Sequence, residues 1–132
     1  MTIERQAVLV TTRSGEPRGI EVTEETLGTS GAVLAVAGEL DLATAPALRD
    51  RLNAAIDLGR HRLVIDLSAV SFLDSVALAT IVHAKRRLPE GGRLALVIQP
   101  SSYVMLVFES GGLGSVLDIV ETRAQAVELV LP

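Results

Sequence analysis

The chain of 132 residues contains no cysteine and no tryptophan. Without cysteine there is no disulfide framework, no thiol nucleophile and no cysteine-ligated zinc. The aromatics are Phe72, Tyr103 and Phe108 alone, too few to build a base-stacking platform. Long apolar runs are missing as well. The longest fall far short of the roughly 20 residues that a membrane helix needs, so no membrane insertion is expected. The first residues, MTIERQAVLVTTRSGEPRG, lack the apolar stretch of a signal peptide, and a cytoplasmic location is the default expectation. Cations are not in excess: 12 Lys and Arg face 16 Asp and Glu, a net charge of −4. A phosphate-tracking surface needs clustered cations, so a nucleic-acid partner is not expected. The one basic cluster, Lys85-Arg86-Arg87, falls near the end of a predicted helix, where it complements the negative end of the helix dipole.

What is present is a chain 48% hydrophobic and long enough for one domain with its own core, burying about two thirds of its unfolded surface. There is no internal repeat and no low-complexity segment. Residues 1–19 carry the weakest pattern: a short strand over Ala7–Val10, then a polar, turn-like RSGEPRG at 13–19. This stretch reads as an extension, mobile or at a sheet edge, and the domain proper reads as residues 20–132, starting with a strand at Ile20–Thr23. Beyond it, strands and helices alternate. GAVLAVAG (31–38), HRLVIDL (61–67), RLALVI (93–98) and SVLDIV (115–120) read as strands. Helices are predicted over 43–59, with Thr44 as N-cap and Pro46 in the first turn, over 75–88 after a loop SAVSF, over 101–112 and over 122–131. In the last helix Ala124, Val127 and Leu131 fall on one face. The order predicts an α/β sandwich with a mixed, mostly parallel sheet of about five strands and about four helices. The loops after the strands, AGELDLAT and FLDSVA, should then be neighbours at one end of the sheet.

Several candidate sites follow. Ser75 stands at the start of a helix, either as a cap or as a site of chemistry. A nucleophilic serine needs a base within hydrogen-bond reach. His83 is eight residues further along the same helix, about 12 Å away along the axis, and His61 opens a strand at the opposite end of the sheet, so no enzyme activity is expected. No histidine pair has metal-ligand spacing. GGLGSV (111–116) follows a helix and precedes a strand, the reverse of a phosphate loop. Asp41 and Asp74 belong to the same end as Ser75. They read as turn or cap residues, or as an acidic pocket around the serine hydroxyl that helps place magnesium in a partner's active site. In YVMLVF (103–108) six consecutive residues are apolar, more than one buried helix face needs. Some of Val104, Met105, Leu106 and Val107 should therefore face outward, for partner docking or self-association, unless the helix is deeply buried.

Three ordered segments resemble the STAS domain, specifically the bacterial anti-sigma factor antagonists. VAGELDLATAPALRDRL is similar to that family's LxGELDxxTAxxLxxxL, LVIDLSAVSFLDSVALA to its hhlDLSxVxFhDSSGLG (h apolar), and SGGLGSVLDI to its SGLxxhhxh. The resemblance covers roughly residues 31–130. It implies a non-catalytic module, with no cofactor of its own, that binds an anti-sigma factor and frees the sigma factor. In the family the anti-sigma factor is often a serine kinase that supplies ATP and magnesium, and a phosphatase reverses the mark. The phosphoacceptor matched by position is Ser75, and the family's ELD aspartate is matched by Asp41. The partner-binding surface then comprises Glu39, Asp41, Asp74, Ser75, Val76, Leu78, Met105 and Leu106, with a homodimer among the expected assemblies. The chain departs from the pattern where Val76 and Ala77 replace a second Ser or Thr and a Gly. The alternative that the resemblance implies is a subunit of a stress-signalling assembly, or of a lipid or anion transporter, without phospho-switching.

Overall fold

The computed structural model describes residues 3–11 and 17–132, with the side chains of Arg5, Ala7 and residues from 19 onward. Strands β1 (Ile3–Thr11), β2 (Pro17–Leu27), β3 (Gly31–Leu40), β4 (Arg62–Leu73), β5 (Arg93–Val97) and β6 (Asp118–Val120) form one sheet in chain order. The pairs β1–β2 and β2–β3 are antiparallel and the other three are parallel. The parallel strands are linked by helices α1 (Ala45–Asp57), α2 (Ser75–Arg87) and α3 (Tyr103–Ser110), and α4 (Arg123–Val130) follows β6. The mixed α/β architecture expected from the sequence is therefore the one observed, with a sixth strand, β1, added at the edge.

Alternation along the strands sorts the core into two layers. Leu34, Leu63, Ile65 and Leu96 point to the face covered by α1, α2 and α3, where Leu48, Leu52, Ala77, Ile81 and Phe108 meet them. Val33, Val64, Ala95 and Val97 point to the other face and meet Ala126 and Val130 of α4. Strands buried on both faces read as continuous apolar runs, which is why β4 and β5 were legible as strands. Gly38 has φ +109, and a Cβ there would run into the Gly19 carbonyl. Only glycine fits where β2 crowds the end of β3.

Several boundaries differ from expectation. The predicted loop SAVSF is a continuation of β4, which runs to Leu73 with two register shifts against β3. The shifts turn Ser68, Ala69, Ser71 and Phe72 outward and so break the alternation that marks a strand. The predicted strand SVLDIV shrinks to its last three residues, because Val116 and Leu117 both donate backbone bonds to the Leu113 carbonyl and close a turn. In α4 the buried residues are Ala126 and Val130 rather than Ala124 and Leu131. The capping box Thr122–Gln125 fixes where the helix starts, and that start sets the phase of an eight-residue helix whose own pattern is weak. Of the turn-like 13–19, residues 13–16 lie outside the described residues, and 17–19 belong to β2.

Candidate functional site

β3 and β4 end side by side, with Leu40 opposite Leu73. Each then passes to a helix through an aspartate. At the β4 end, the Asp74 amide donates to the Leu40 carbonyl at 3.1 Å. Asp74 is the N-cap of α2: Oδ1 accepts from the amides of Val76 and Ala77, both at 3.0 Å. Its Oδ2 accepts from the Leu42 amide at 3.1 Å. One carboxylate therefore closes its own helix and pins the neighbouring loop. At the β3 end, Asp41 is only 6% exposed. Its Oδ1 accepts from the amides of Ala43 at 2.9 Å and Thr44 at 3.1 Å. Thr44 occupies the N-cap position of α1, but its hydroxyl does not cap the helix. It donates instead to the Glu39 carbonyl at 2.7 Å and accepts from the Asp41 amide at 3.0 Å. Among the described residues no buried side-chain nitrogen or oxygen lacks a partner.

Ser75 is thus the first helical residue and not the cap. It is exposed, and its hydroxyl makes no hydrogen bond among the described residues. Apolar side chains stand uncovered around it. Val76 follows it on α2, Leu42 at 71% exposure tops the loop held by Asp74, and Phe72 stacks on Tyr103 with ring centroids 5.9 Å apart. Two concavities open on this end. One, of ≈ 500 Å³, is lined by Asp41, Leu42, Ala43, Phe72 and Asp74. The other, of ≈ 410 Å³, runs along α2 from Ser75 past Leu78, Ala79, Val82 and His83 to Arg86, with Leu113 as its far wall.

Of the partner-binding residues expected from the sequence, Asp41 and Asp74 line one depression, and Ser75 and Leu78 the adjacent groove. Glu39 is half-buried beside Phe72 in the sheet register. Among the apolar residues of α3, Val104 is buried, Met105 and Val107 pack half-buried on the core, and Leu106 and Tyr103 are well exposed. Met105 therefore offers little surface, whereas Leu42, Phe72 and Tyr103, which sequence reasoning did not select, offer more. The acidic pocket takes a different form from the one expected: both carboxylates are occupied by backbone amides, and Asp41 lies inside its loop. Among the described residues no group of three or more His, Asp or Glu is placed to hold a metal.

A third carboxylate was also missed. Asp66, on the α4 side of β4, is 7% exposed. It accepts from the Ser68 hydroxyl and amide and, in a two-point contact, from Arg123 Nε at 3.0 Å and Nη2 at 2.9 Å. Burial pushes its pKa up, but the Ser68 bonds and the Arg123 guanidinium outweigh that and hold it below the usual carboxylate value. The signal was available: an aspartate inside an apolar strand must be paired.

The family model described as STAS domain matches residues 21–126. An anti-sigma-F factor antagonist, RsfB, of Mycobacterium tuberculosis is 37% identical over 70 residues, 53% of this chain and 57% of that protein; the match thus spans little more than half of that relative's length. The crystal structure of an anti-sigma factor antagonist from Mycobacterium paratuberculosis superposes with a TM-score of 0.77 at 27% identity, covering 92% of this chain and 98% of that one. The Bacillus cell fate determinant SpoIIAA in its phosphorylated form superposes with a TM-score of 0.62 at 25% identity, covering 83% and 99%.

Proposed function

The chain belongs to the STAS domain family, and from that premise we propose that it is an anti-sigma factor antagonist switched by phosphorylation of Ser75. It binds an anti-sigma factor of the serine-kinase type through Ser75 and the exposed apolar side chains of Leu42, Phe72, Val76 and Leu106, and so releases the sigma factor. The observation that carries the reading is the Ser75 hydroxyl, exposed and unengaged at a helix N-terminus whose capping is already done by Asp74. The names of the relatives support it, and so does the phosphorylated form of SpoIIAA.

In the transfer, Ser75 Oγ forms a bond to the γ-phosphorus of ATP, the bond to the ADP oxygen breaks, and the hydroxyl proton passes to a base of the kinase. The product carries about −1.5 to −2 charge. Within the domain the N-terminus of α2 tolerates that charge. Against a partner it places a dianion beside exposed apolar side chains, which must be desolvated on docking. Binding is lost while the fold is kept.

The test is incubation with candidate anti-sigma kinases and labelled ATP. Label is expected in the wild type and absent in Ser75→Ala. In a binding assay Ser75→Asp is expected to lower affinity about a hundredfold. Equal labelling of Ser75→Ala would refute the site, and undiminished binding by Ser75→Asp would refute the switch.

A further inference from the structure

We propose that β1 is a dimerisation strand whose outer edge takes the β1 strand of a second copy of this chain. The family match begins at residue 21, so β1 is appended ahead of it. It pairs with β2 along its whole length, from Ile3 opposite Glu25 to Thr11 opposite Pro17, without a register shift. It is the last strand in the sheet order, and among the described residues no strand lies on its other side. An open edge offers a row of unpaired N–H and C=O groups, and monomeric proteins blunt it with short strands, Lys, Pro or bulges. β1 has nine residues, no Lys, Pro or Gly, and no charge from Gln6 to Thr11. The other edge strand, β6, has only three residues.

The hairpin's face is built differently. Arg5 pairs with Glu21 at 3.7 Å, and Arg5, Ala7 and Glu21 are exposed. Arg5, Ala7 and Glu21 are already solvated where they stand, so the second copy is placed at the edge. A second copy fits that place because antiparallel pairing of identical strands closes about a two-fold axis. With the axis at Ala7, Ile3 lies opposite Thr11, Glu4 opposite Val10, Arg5 opposite Leu9, Gln6 opposite Val8 and Ala7 opposite itself. No two charges face each other, and all nine residues are used. Because β1 runs parallel to β3, the axis sends the two Ser75 ends in opposite directions. Both stay open, and the dimer is independent of the switch.

Sedimentation equilibrium of the full chain tests this. The wild type is expected at twice the chain mass of 13.9 kDa. Ala7→Lys faces Glu21 within its own hairpin and so keeps the fold, which far-UV circular dichroism checks, but it opposes two ammonium groups across the axis. It is expected to weaken the dimer about tenfold, while Ala7→Val leaves it intact. A wild type that stays at 13.9 kDa throughout, or Ala7→Lys associating as tightly as Ala7→Val, would overturn the proposal.

Discussion

The two strand-to-helix junctions at this end of the sheet both leave the strand through Leu-Asp, as Leu-Asp-Leu-Ala-Thr and Leu-Asp-Ser-Val-Ala. They put their hydroxyls to opposite uses. Leading into α1, Asp41 and Thr44 are both buried and spend their polar atoms on the loop itself. Leading into α2, Asp74 caps the helix directly and leaves the next residue, Ser75, with nothing to do inside the fold. A hydroxyl absorbed by its own loop is structural. One released by a neighbouring cap is available to a visiting protein. The spacing from aspartate to hydroxyl, three residues in one case and one in the other, decides which outcome is reached.

Substitutions can break this contrast. Thr44→Val should have the largest effect on stability. It removes the hydroxyl's bonds to the Asp41 amide and the Glu39 carbonyl in a buried site, at a cost of about 2 kcal/mol, read as a lower urea midpoint with an unchanged slope. Phosphorylation of Ser75 should survive it. Asp74→Ala removes the cap of α2 and the pin on Leu42, costing about 1–2 kcal/mol, and it should raise hydrogen exchange at Val76, Ala77 and Leu42 together. Exchange confined to α2 would show that the Leu42 bond holds nothing.

Asp66 sharpens the comparison with a carboxylate whose partner is a cation. Its pKa is lowered in the fold, so the stability it contributes is present above the ordinary carboxylate value and is lost as pH falls through the lowered one. Asp66→Asn should flatten the acid limb of the stability curve below about pH 4, and an unaltered limb would remove Asp66 from the account. The smallest effect belongs to Ser75→Ala. With no hydrogen bond to lose, it should change stability by less than about 0.5 kcal/mol, which a thermal melt can check. A larger loss would mean that the hydroxyl is structural after all.

Much of this was legible in the chain. Val-Ile-Leu runs marked the central strands, and glycines, Pro46 and the basic last turn marked the helix ends, because these signals act over a few residues. The neighbourhood of Asp41, Asp74 and Ser75 was legible too, since consecutive parallel strands bring their trailing loops to one end. The continuation of β4 through SAVSF was hidden by its register shifts, which depend on β3 lying alongside. Whether Asp74 or Ser75 caps α2 stayed open in the sequence, because Asp and Ser both cap helices and the choice turns on backbone angles.

The sequence by itself determined the layers and their order, because burial is written in the periodicity of apolar residues along each element. Only the tertiary structure decided how the two junctions are fastened to each other. That depends on where groups 32 positions apart in the chain meet, as the Leu42 amide meets the Asp74 carboxylate, and no local pattern encodes such a meeting.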